Sequence, residues 1–130
     1  MTTYTIQGAD LGIREEGPLE NARQAHRLFQ SFDWQKELEL QSQLEAEDKF
    51  GCPPGLLINP GDFEYLHFCP NLEGTMAVYC TADVPYKFLG LFNTTKSTLL
   101  ESEGVNKNRV LPIITNFLEG NNEWLIAHLI

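Results

Sequence analysis

Between Trp34 and Glu47 the chain alternates with unusual strictness. Trp34, Leu38, Leu40, Leu44 and Ala46 fall on even positions, with Lys36 and Ser42 between them, and every odd position from Gln35 to Glu47 is Gln or Glu. A two-residue period puts one set on each face of a β-strand. The residue types themselves favour helix, since Leu, Gln, Glu and Lys all rank high in helix propensity. Wound as a helix, however, Leu40 and Leu44 fall well round from Trp34 and Leu38, so no clean apolar stripe forms. Period is weighted over propensity. The stretch is read as a long edge or near-edge strand, leucines toward a core and a Gln/Glu ladder toward water.

The remaining pattern is less regular. Residues 1–17 carry Tyr4 and Ile6 but are interrupted by Gly8, Gly12 and Gly17, which predicts a short strand or a loosely held arm. A helix is predicted over about 18–32, with Pro18 at its first position and Leu19, Ala22, His26 and Phe29 as its stripe. Short strands follow at Leu56–Ile58, Phe63–Cys69, Thr75–Thr81 and Tyr86–Phe92, separated by turns rich in Pro, Gly and Asn. Residues 93–108 show no clear period. Val110, Ile113, Ile114 and Phe117 recur at helical spacing, Gly120 stops that helix, and Trp124, Leu125 and Leu129 belong to another. The expected fold is one α+β domain over residues 1–130. Its antiparallel sheet of four or five strands spans about 33–92. The helices at about 18–32 and 109–129 pack on one face.

Composition narrows the function classes. Eighteen Asp or Glu against nine Lys or Arg give a net charge of −9. This disfavours nucleic acid or an anionic membrane as partner and suits a basic protein. At 42% hydrophobic and 21% charged the chain is globular rather than disordered. No apolar run approaches the roughly 20 residues of a membrane span. Three cysteines without a secretory signal point to a reducing cytoplasm.

Candidate chemistry is sparse. His67, Cys69 and Cys80 are weak metal or thiol candidates, because no paired C-x-x-C knuckle exists and His67 and Cys69 project in parallel from one strand. The paired carboxylates sit where water would solvate both members, and no phosphate-cradling glycine loop or cofactor motif is present. The leading expectation is therefore a non-enzymatic protein-interaction domain. It would meet a basic partner through Glu37, Glu39, Glu45, Glu47, Asp48, Asp62 and Glu64. An alternative is a small-molecule pocket between sheet and helix, lined by Tyr65, Phe68, Tyr79, Tyr86 and Phe88. The apolar end at Leu129–Ile130 is also compatible with a homodimer.

Overall fold

The computed structural model describes residues 1–129 apart from 62, 72, 89 and 91, with backbone alone at 86–88, 92 and 93. In chain order the elements are β1 (Thr3–Gln7), β2 (Ile13–Pro18), α1 (Ala22–Ser31), α2 (Trp34–Ala46), β3 (Gly55–Gly61), β4 (Glu64–Pro70), β5 (Thr75–Phe88), β6 (Phe92–Asn106), α3 (Val110–Leu118) and α4 (Asn122–Leu129). The six strands form one sheet in the order β2-β1-β3-β4-β5-β6, every neighbouring pair antiparallel. The class is the expected α+β, with strands 3 to 6 a meander.

The largest correction falls on the alternating stretch, which is helix α2 rather than a strand. Asp33 caps it, its side chain accepting from the Lys36 N–H at 3.1 Å. Gln35 donates to Glu39, Gln41 to Glu45 and Gln43 to Glu47, each four residues on. Such i,i+4 pairs stabilise a helix surface. Residues four apart also share parity, so the alternation did not discriminate between the two structures. The helix buries only Trp34, Glu37 and Leu38.

Other differences have local causes. The first residues are no loose arm: β1 lies inside the sheet, paired on both sides, and β2 forms the edge. Pro18 closes β2 opposite Thr3 instead of opening a helix, and α1 starts after Asn21, whose side chain accepts from Gln24 N at 2.8 Å. Strand β5 runs straight through Pro85, because beyond Cys80 it pairs with β6 alone and a missing N–H is tolerated at a free edge. The unreadable 93–108 stretch is mostly β6, which pairs with β5 from Phe92 to Asn106.

One sheet face is closed. Tyr4, Ile6, Leu56, Ile58, Leu66, Phe68, Met76, Val78, Cys80, Leu100 and Val105 pack with Ala25 and Phe29 of α1, with α3 and with Leu125 and Leu129 of α4. Leu129 is fully buried within the chain; Ile130 lies outside the described residues. At the turn between α1 and α2, the Trp34 ring stands 5.5 Å from Phe29 and 4.6 Å from Phe32, and its Nε1 donates to the Phe29 carbonyl at 2.8 Å. No described helix is long and apolar enough to cross a membrane.

An ion pair with a buried carboxylate ties the first turn of α2 to the β1–β2 hairpin. Arg14 of β2 donates from Nε to Glu37 Oε2 at 3.0 Å and from Nη2 to Oε1 at 3.1 Å. The Ala9 N–H reaches Oε1 at 3.2 Å, and Arg14 also contacts Asp10 at 3.0 Å. A Cβ at Gly8 would collide with the Arg14 guanidinium, so the glycine makes room for the pair. The Glu37 carboxyl is held below the usual carboxylate range, first by Arg14 and then by the Ala9 N–H, against the opposing effect of burial. A depressed carboxylate contributes stability above its unfolded pKa of about 4.3 and loses it as pH falls through its folded value. Glu37→Gln should cost about 2 kcal/mol at pH 7, below the range for a fully buried pair because Arg14 is partly exposed. Urea unfolding from pH 7 to pH 3 should show the two stabilities converging on acidification; curves that stay parallel would rule out this linkage.

Candidate functional site

The second sheet face is only partly covered. Its central row runs Thr5, Leu57, His67, Tyr79 and Glu101 across β1, β3, β4, β5 and β6. Toward the β4–β5 turn this face meets α2, and an open cleft of about 580 Å³ lies between them. Leu38, Cys69, Pro70, Ala77 and Tyr79 give it apolar and aromatic surface, and Glu45, Glu73 and Glu103 bring three exposed carboxylates. No Lys or Arg stands among the described residues that line it.

Each carboxylate comes from a different element. Glu45 faces inward from the last turn of α2, and Glu73 stands in the turn that Asn71 organises by accepting from the Glu73 and Thr75 N–H groups. Glu103 depends on a bulge. Val78 pairs with Ser102 but Met76 with Val105, so Glu103 and Gly104 together oppose Ala77. Gly104 has φ +67°, a left-handed conformation suited to glycine. The extra residue leaves Glu103 over the cleft and returns Val105 to the core at 2% exposure. The pKa of the Tyr79 phenol is pushed up by burial and then by Cys69, Glu101 and Glu103.

The expected partner surface is dispersed. Glu37 is buried and tied to Arg14, which removes it from any docking face. Glu45 lines the cleft, while Glu39 is on the outer side of α2 beside Lys36 and Gln43. Glu47 and Asp48 are exposed just past the helix end, Glu47 paired with Lys49 at 3.1 Å. Glu64 lies at the opposite end of β4, in a separate hollow with Asp83. Asp62 lies outside the described residues. Glu73 and Glu103 were missed by sequence reading; the signal for Glu103 was the Ser-Glu-Gly that makes the bulge.

The expected aromatic pocket is likewise divided. Phe68 is fully buried in the helix-covered core, its ring 5.8 Å from Phe29. Tyr65 is on the open face but outside the cleft lining, and among the described side chains of this set only Tyr79 reaches it. The side chains of Tyr86 and Phe88 lie outside the described residues.

His67 and Cys69 do share a face, but Cys80 packs in the core on the other one. Strand parity separates them: Cys80 pairs with Leu66, whose neighbour His67 points the opposite way. Among the described residues no group of three or more His, Cys, Asp or Glu side chains could hold a metal ion. The Cys69 sulfur lies 3.6 Å from His67 Nε2 and 3.8 Å from Nδ1. Burial lowers the His67 pKa and pushes the thiols of Cys69 up to about 11 and Cys80 up to about 12. A thiol held protonated beside a neutral imidazole is a poor nucleophile. With a thiol-specific disulfide reagent at pH 7.5, Cys52, which is half-buried, should react first. Cys69 and Cys80 should react only on unfolding; prompt reaction of Cys69 in the folded protein would reopen the thiol chemistry.

No protein-family model, curated protein or solved structure matches this chain.

Proposed function

We propose that this protein is a non-enzymatic interaction domain that seats a basic segment of a partner protein in the cleft between α2 and the open sheet face. The observation that carries this reading is the charge of the cleft: Glu45, Glu73 and Glu103 converge on one concavity with no basic side chain among its described lining. Three like charges around one space repel one another, and an incoming Lys or Arg relieves that repulsion. The stem of such a side chain fits the surface of Leu38, Pro70 and Ala77, and its charge can approach the face of Tyr79. The net charge of −9 adds long-range attraction that speeds encounter and weakens with salt.

The cleft volume also falls within the usual range for small-ligand pockets, roughly 300–1,000 Å³, which favours a small organic cation as a second reading. The two separate on titration with a lysine-rich ten-residue peptide and with spermine. The first reading expects peptide binding that weakens with salt, and spermine binding much more weakly. Reversing Glu45, Glu73 and Glu103 to Lys, all at exposed positions, should weaken the peptide by at least about tenfold at low salt and flatten its salt dependence. Peptide binding that is unchanged by the reversal would refute the cleft as the seat; spermine binding tighter than peptide would favour the small cation.

A further inference from the structure

We infer that the basic segment is held by strand addition: it lies extended along the free edge of β6 over residues 94–102, pairs with it through main-chain hydrogen bonds, and sends alternate side chains past Leu99 and Glu101 toward the cleft. This rests on reading the cleft as the seat of a basic partner.

Strand β6 ends the sheet and pairs with β5 alone, so alternate backbone N–H and C=O groups along it point away from the sheet. It is 15 residues long, and its stretch over 94–102 holds neither Pro nor Gly and only two charged residues, Lys96 and Glu101. The opposite edge is a poorer template. β2 is six residues long, ends in Gly17-Pro18, shifts register opposite Ile6–Gln7, and has Arg14 committed to Glu37.

The side-chain pattern of the β6 edge selects the occupant. Glu101 pairs with Tyr79 and Leu99 with Thr81, so both stand on the open face, and Leu99 is 43% exposed. Within the bulge it forms with Gly104, Glu103 lines the cleft. A strand laid beside β6 therefore meets an apolar position, then an acidic one, then a second acidic one, all on the same side. The complementary segment carries Lys or Arg at every second residue followed by an apolar residue two further on, when read antiparallel. Main-chain pairing supplies affinity and the alternate side chains supply the choice of partner. A second copy of this chain fits less well. It would bring another charge of −9, and the one lysine on the edge, Lys96, has the opposite parity to Glu101 and so projects on the other side of the sheet.

The test uses a ten-residue peptide alternating Lys and Thr, and the same peptide methylated on every backbone nitrogen, which keeps the charges and removes the donors. Strand addition predicts that the unmethylated peptide binds at least about tenfold tighter and slows amide hydrogen exchange within residues 94–102. Equal binding of both peptides, abolished by the triple reversal of Glu45, Glu73 and Glu103 and without protection of β6, would overturn strand addition while leaving the cleft reading in place. Failure of both peptides to bind the wild-type chain would overturn the cleft reading as well.

Discussion

The placement of α2 depends on a single charge taken out of water. A helix with Trp34 and Leu38 as its only buried apolar side chains has little hydrophobic reason to lie in one orientation. Glu37 supplies the specificity. A buried carboxylate is tolerated only when paired and hydrogen-bonded, and here Arg14 and the Ala9 N–H occupy both of its oxygens. Those donors belong to β2 and to the turn that precedes it, so the pair clamps α2 to the β1–β2 hairpin at one end of the sheet. The aromatic cluster of Phe29, Phe32 and Trp34 fixes the start of the helix, and Arg14 fixes its rotation. With both set, Leu38, Gln41 and Glu45 face the sheet and form one wall of the cleft.

The fold was legible where the pattern had one interpretation. The helical spacing at Val110, Ile113, Ile114 and Phe117 and the strands around Leu66 and Val78 each bury one face, and all four α3 positions and both strand positions are in the core. It was not legible where a pattern fits two structures. A run that alternates by two also repeats by four, so the Gln/Glu residues of α2 satisfy i,i+4 pairing and strand alternation at once. Distinguishing them required knowing that Glu37 could be buried, which depends on Arg14, 23 residues away. In 93–108 the obstacle was a change of phase: Leu100 and Ser102 face the core side, the bulge adds a residue, and Val105 continues on that side with the other parity.

The proposed site overlaps the sequence expectation at one residue. Net charge implied a basic partner, and Glu45 was among the residues expected to meet it. The other two carboxylates of the cleft come from a turn and from a bulged strand, elements whose side-chain directions no periodicity predicts. The cysteines show the converse. Once the β4–β5 register is known, strand parity alone separates Cys80 from His67 and Cys69, and Cys69 is buried by α2 and the neighbouring prolines rather than by the core.

The unequal treatment of the two sheet faces explains how stability and a charged surface coexist in one small chain. Apolar residues of α1, α3 and α4 are spent on one face, which is closed and contains no described unsatisfied buried polar side chain. The other face has only α2, whose sequence is half Gln and Glu, so it is left half covered. Among the described residues the carboxylates in ion pairs are Asp10, Glu37 and Glu47, and only Glu37 is buried. The carboxylates at the cleft therefore contribute little to folding, and their mutual repulsion slightly opposes it. A chain selected for stability alone would gain from mixing charges there. Concentrating one sign around a concave, partly apolar surface is a cost that the proposed basic partner would offset.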